Sequence, residues 1–168
     1  MRSGRHFAQF TVLEGPFLFF GVIRPGWDVE AQGTSPWRGT GERGADAYDE
    51  DGHCLYAAYQ GHGFPGNHRS DDGYEWEGKQ NAREPGDRIG MLLDLDQGSM
   101  TVYKNDVLMG VMVAEGLTGP LCWALEAFAA GNSARIESAP APTSPTEELA
   151  LAKEYRAKGL AEAETGAA

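Results

Sequence analysis

Apolar and polar residues alternate along much of this chain with the period of two expected of strands that bury one face. Ile89, Met91, Leu93 and Leu95 form the clearest such run. Asp96-Gln97-Gly98-Ser99 interrupts it with a turn, since glycine tolerates the positive φ that tight loops need. Ser99 to Lys104 returns as a β-branched and aromatic strand, and Asn105-Asp106 turns the chain again before Val107-Leu108-Met109-Gly110-Val111. Together these make a β-meander. Similar runs predict strands over 6–13, 17–23, 53–59, 87–95, 99–104, 107–113, 120–128 and 132–137. Between them, segments 24–52 and 60–85 are rich in Gly, Asp, Glu and Pro and read as long loops anchored by aromatics. Loops of such length in a compact domain are usually functional or lack fixed structure.

Helical signal is confined to the C-terminus. Ala139 to Thr146 is a Pro/Ala-rich break that marks a boundary. Ser144-Pro145-Thr146-Glu147 then fits a capping box, and Gly159 supplies a stop. Leu149 and Leu151 leave the segment only a thin apolar stripe, so a short, frayed helix is expected there. The organisation predicted is an all-β domain over 1–138 followed by a linker and a helical or disordered tail over 139–168.

At 168 residues with 41% hydrophobic content the chain can build one sizeable core, and its 23 glycines suit many short strands and turns. The formal net charge is −11, with 11 Lys+Arg against 20 Asp+Glu before residue 139. With no basic cluster to offset that charge, binding to phosphate backbones or anionic membrane surfaces is disfavoured. No apolar run approaches the ~20 residues of a membrane span, and the start, Met1-Arg2-Ser3-Gly4-Arg5-His6, lacks the apolar stretch of a signal peptide. Two cysteines, Cys54 and Cys122, and no Asn-x-Ser/Thr sequon fit a reducing, cytoplasmic setting with two buried thiols.

The order of motifs resembles the SPRY domain family. Gly86-Asp87-x-Ile89-Gly90, Leu93-Asp94-Leu95, Gly98 and Tyr103-Lys104-Asn105 followed by Gly110 look like its central signature. Arg5-His6-Phe7-Ala8-Gln9-Phe10-Thr11-Val12 and Phe19-Phe20-Gly21-Val22 resemble its early strands. Gly119-Pro120-Leu121-Cys122-Trp123-Ala124, followed by Ala134-Arg135-Ile136, resembles its closing ones. The resemblance spans roughly residues 4 to 138. It implies a two-layer antiparallel β-sandwich of concanavalin-like jelly-roll type. It also implies a non-catalytic module that binds short peptides or protein loops through loops at one end, in many members as an adaptor. Family members usually carry sequence before the first strand seen here, so an edge strand is expected to be missing or replaced.

Other chemistry finds less support. Gly39-Thr40-Gly41-Glu42-Arg43-Gly44 matches G-x-G-x-x-G but lacks the strand before it and the helix after it that dinucleotide binding needs. Asp49-Glu50-Asp51-Gly52 fails as a calcium loop, because Ala47 and Ala58 fall where carboxylates are required. His53, Cys54, His62, His68 and Cys122 lack zinc-ligand spacing, so no metal and no cofactor is expected. Glu75-Trp76-Glu77 sets two carboxylates on one side of an extended segment, a pairing that sandwich-fold glycosidases use. A carbohydrate-binding or carbohydrate-cleaving lectin-like sandwich is therefore the alternative reading. No Ser or Cys lies in a nucleophile-elbow context.

Aromatics are the remaining signal, because rigid aromatics and arginine dominate binding hot spots. Trp123 and Tyr103 lie inside strands and read as core, whereas Arg24, Trp27, Trp37 and Tyr48 fall at or in the long loop. By the resemblance, Arg24 and Tyr56 match positions used for peptide contact, while Ala129-Ala130-Gly131 stands where some members present a Trp. The expected peptide-binding set is Arg24, Trp27, Trp37, Tyr48 and Tyr56. The expected partner is a protein segment carrying basic residues, bound by a monomer.

Overall fold

The computed structural model describes residues 1–25, 54–61, 63–65, 76–127 and 129–140, with 63–65 by backbone alone. Among the described residues, nine strands form two antiparallel sheets: β1 (Arg5–Glu14), β2 (Leu18–Ile23), β3 (Cys54–Ala57), β4 (Gly63–Pro65), β5 (Arg88–Asp94), β6 (Ser99–Lys104), β7 (Val107–Val113), β8 (Cys122–Ala127) and β9 (Ser133–Ser138). One sheet has five strands in the order β7-β6-β5-β1-β9, and the other has four in the order β4-β3-β2-β8. This is the β-sandwich expected from the sequence. Residues 141–168, with the expected tail helix, lie outside the described residues. Among the described residues, no helix is long and apolar enough to cross a membrane.

The alternation in the sequence decides which side chains meet between the layers. Ala8, Phe10 and Val12 of β1, Ile89, Met91 and Leu93 of β5, and Met100 and Val102 of β6 line the inner face of the larger sheet. Leu18, Phe20 and Val22 of β2, with Tyr56 of β3, answer from the smaller one. Across the gap Phe10 and Phe20 stack at 5.0 Å between ring centroids and Trp123 meets Phe10 edge-on at 6.1 Å, while within the smaller sheet Phe20 and Tyr56 stack at 6.4 Å. Offset aromatic stacking adds to what burial of these large rings already contributes.

β1 is central rather than an edge: it pairs with β5 from Arg5↔Asp94 to Thr11↔Arg88 and with β9 from Ala8↔Ser138 onward. β9 thus covers the side of β1 that β5 leaves open. The stretch 60–85, read as loop, contains β4, whose Cys54↔Pro65 pairing places proline on a sheet edge where its missing N–H is tolerated. Two register shifts between β6 and β7 leave Met109 and Met112 without opposed partners, and both turn into the core.

The β6–β7 turn uses Asn105 and Asp106 at φ of 50° and 69°, a left-handed pair that matches the twist of a two-residue hairpin. At Gly90, a Cβ would lie 2.6 Å from the Phe7 ring and 3.3 Å from the Tyr103 Cβ. Glycine there lets Phe7 and Tyr103 meet edge-on over the strand, with centroids 5.9 Å apart.

Truncating the inter-layer ladder with Phe20→Ala should lower the unfolding free energy by about 3–5 kcal/mol in urea denaturation. Val107→Ala, at a residue 68% exposed, should change it by no more than about 0.5 kcal/mol.

Candidate functional site

The strand directions give the sandwich two dissimilar ends. At one, β2 runs out into Arg24 while β3 and β8 begin beside it, with Val22 facing Cys54 and Ile23 facing Cys122. Residues from the opposite sheet gather here too. Met1 and Leu121 exchange backbone hydrogen bonds of 2.7 and 2.9 Å, the Leu95 amide donates to the Gly4 carbonyl at 3.0 Å, and the Leu117 amide donates to the Gly98 carbonyl at 2.9 Å. The β5–β6 turn is held by Asp94, whose Oδ1 accepts from the amides of Asp96 and Gln97 at 3.0 Å each. Asp96 in turn accepts from the Gly4 amide at 2.9 Å. Of these, the Met1–Leu121 pair joins the approaches to β1 and β8, which belong to different sheets, and Leu117–Gly98 ties the β7–β8 connection to the β5–β6 turn. The result is a firm base under Arg24, with Asp96 and Glu115 exposed around it.

The opposite end is a lock centred on Asp87. Its carboxylate accepts from Asn105 Nδ2 at 3.1 Å and from the Glu84 amide at 3.2 Å, and lies 3.3 Å from Lys104 Nζ. Lys104 also donates to the Asn81 carbonyl at 2.7 Å, and Asn105 exchanges hydrogen bonds of 2.8 and 2.9 Å with the backbone of Arg88. Arg88 and Asp106 form an ion pair, and Gln9 donates to Asp106 at 3.1 Å. Gly86 and Asp87 meanwhile bond to the backbone of Val12 at 2.8 and 2.9 Å. The motif Gly86-Asp87 … Tyr103-Lys104-Asn105 is thus a structural clasp that ties the β6–β7 hairpin, the approach to β5 and the end of β1. Burial opposes ionisation of Asp87, but hydrogen bonds from Asn105, the Glu84 amide and Lys104 outweigh it and hold the carboxyl below its ordinary value of 3.8.

Of the five expected contact residues, Arg24 stands half-buried at the end of β2, and Trp27, Trp37 and Tyr48 lie outside the described residues. Tyr56 is placed elsewhere. It pairs with Phe20, four residues before Arg24 along β2 and so roughly 13 Å away along the strand direction. The ring is fully buried, and its hydroxyl donates to the Gln80 carbonyl at 2.6 Å. Burial first, and the Asp87 charge second, push its phenol well above the ordinary value. Tyr56 therefore supports the layer beneath the surface, and the described geometry does not bring it together with Arg24. Asp96 and Glu115, which the sequence reading passed over, share the Arg24 end; their position in turns between strands was the signal available.

Trp76 is buried, with its indole N–H donating to the Gly61 carbonyl at 2.9 Å, and Glu77 next to it is exposed. Glu75 lies outside the described residues, as do Gly39–Gly44, Asp49–Gly52, His53, His62 and His68. Among the described residues, no group of three or more His, Cys, Asp or Glu is placed to hold a metal ion. Cys54 is fully buried, and burial pushes its thiol up to about 12. Cys122 corrects the expectation of two buried thiols: it is half-buried on the outer side of β8, its Sγ donating to the Ile23 carbonyl at 3.4 Å. Tyr103 is buried, but on the outer face of its sheet against Phe7, and Trp123 is half-buried against the core.

No protein-family model matches the sequence, and no curated protein sequence matches it. Among solved structures, the crystal structure of the SPRY domain of human HERC1 is similar, with a TM-score of 0.58 at 16% identity over 84% of this chain and 79% of that one. At that identity the likeness is one of fold: the chain forms a SPRY-like β-sandwich.

Burial separates the two thiols, and charge sets the acid response of Asp87. A thiol reagent at pH 8 should modify Cys122 in the native protein and reach Cys54 only after denaturation, with Cys54→Ser leaving the native rate unchanged. Because the carboxyl of Asp87 binds its proton more weakly folded than unfolded, its stabilisation is complete well above 3.8 and disappears as pH falls through the lowered value. Asp87→Asn should accordingly flatten the loss of melting temperature below about pH 4.

Proposed function

We propose that this chain is a non-catalytic protein-interaction module of the SPRY family, working as a substrate-recognition adaptor in the cytoplasm. In this reading, a short peptide or loop of a partner protein is gripped at the end of the sandwich that carries Arg24. Arg24 with Trp27, Trp37 and Tyr48 supplies the contacts, and Tyr56 holds up the layer beneath them. The observation that carries the reading is the division of labour between the two ends. The strongest sequence motif is consumed in the Asp87 clasp, while the other end combines a laced backbone base with an arginine at the mouth of a long, aromatic-bearing connection. A preordered base limits the entropy lost on binding. The exposed carboxylates of Asp96 and Glu115, on a chain of net charge −11, favour partners with Lys or Arg and speed their encounter. The carbohydrate alternative gains nothing from the described residues, since Trp76 spends its indole N–H on Gly61 and its ring is buried.

The test is affinity purification from the native cell with wild type and the Arg24→Glu and Trp27→Ala variants, followed by titration of each recovered partner. Trp27→Ala should weaken binding by about 1–3 kcal/mol, within the usual hot-spot range, with an unchanged melting temperature. Equal affinity for wild type and both folded variants would remove the Arg24 end as the contact surface. A glycan array run alongside separates the two readings, because saturable sugar binding supports the lectin-like one.

A further inference from the structure

The larger sheet ends at β9, which has no strand partner on its outer side among the described residues. An unpaired edge is a template for another strand, and proteins commonly blunt it with charge. The charges of β9 have an order with a different consequence. The strand reads Ser133-Ala134-Arg135-Ile136-Glu137-Ser138, and its central Ile136 is 43% exposed. Arg135 and Glu137 flank that isoleucine on the opposite face, paired at 3.2 Å with side chains 58% and 49% exposed. When a second β9 is laid antiparallel with the twofold axis through Ile136, each Arg135 falls opposite the other copy's Glu137. The two isoleucines meet, and the four charges alternate in sign around a square. An edge protected by like charges repels its own copy, whereas this edge is self-complementary.

The other sheet edges lack that property. β7 carries two register shifts that disrupt its ladder, β4 is three residues long and ends in Pro65, and the sequence of β8 holds one charged residue, Glu126, and so cannot form opposite-charge pairs with an antiparallel copy of itself. We propose that β9 is a self-recognition edge through which two copies of this chain pair antiparallel about Ile136, merging two five-stranded sheets into one continuous sheet. This replaces the monomer expected from the sequence and uses a surface separate from the Arg24 end.

Sedimentation velocity over ~1 μM to ~1 mM protein, the range suited to a small interface, tests it. Wild type should shift from 18.1 kDa toward twice that mass. Arg135→Glu and Glu137→Arg, each placing like charges face to face, should stay monomeric at the top of the range. An equimolar mixture of the two variants makes every cross-strand pair opposite again, so it should restore the dimer. Melting temperatures verify that both variants fold. Wild type remaining monomeric throughout, a dimer that survives both single variants, or a mixture that fails to associate would each overturn the proposal.

Discussion

The contact between Phe10 and Phe20 is the constraint on which the rest of the molecule depends. Across the core of a β-sandwich the strands of the two layers share no ladder hydrogen bonds, so the side chains between the facing sheets set their spacing and angle. Here Phe10 of β1 stacks on Phe20 of β2 across the gap, with Trp123 against the flank of Phe10 and Tyr56 continuing the stack within the smaller sheet, so the contact joins an interior strand of each sheet. Phe10 sits on β1, which is hydrogen-bonded on both sides, and Phe20 on β2, which is as well. Movement of either ring would have to carry two neighbouring strands with it. The ladder thus converts two sheets into one rigid body, and the ends of that body inherit its rigidity.

The two ends use this rigidity differently. Around Asp87, nearly every polar group is engaged with another part of the chain, and Lys104, Asn105, Arg88 and Asp106 together close the β6–β7 hairpin against the approach to β5. Such an end contributes stability and leaves little to offer a ligand. At the other end the backbone itself ties the sheets, through Met1 with Leu121 and Leu117 with Gly98, so that side chains such as Asp96 and Glu115 stay exposed above it. Burial, not conformational choice, separates the roles of Tyr56 and Arg24: two residues associated by sequence position end at different depths of the same sheet.

Much of this architecture was legible in the sequence. Where one face of a strand is buried and the other is not, as in β1 and β5, the period of two marks strand and core together. The reading failed where that asymmetry vanishes. Cys54-Leu55-Tyr56-Ala57 is buried on both faces, so nothing in its pattern shows that Tyr56 points inward. β4 is too short and too rich in Gly and Pro to produce a period. In β7 the register shifts insert Met109 and Met112 into the core three residues apart, which breaks the alternation while preserving the strand. The clasp residues were visible as a motif, but their role was not, because Asp87 and Asn105 lie 18 residues apart and meet only through the turn geometry. The contact surface was the least legible element, since it depends on where strands end in space rather than on what any one of them contains.

Native-state hydrogen exchange measures the claim that the two sheets form a single cooperative body. Amides of Phe10 in β1, Phe20 in β2 and Met91 in β5 should exchange with the same free energy and the same denaturant dependence, both equal to those of global unfolding. A separate, lower-energy opening of β2 and β3 while β1 and β5 remain protected would contradict the account, because the aromatic ladder would then not be what joins the layers.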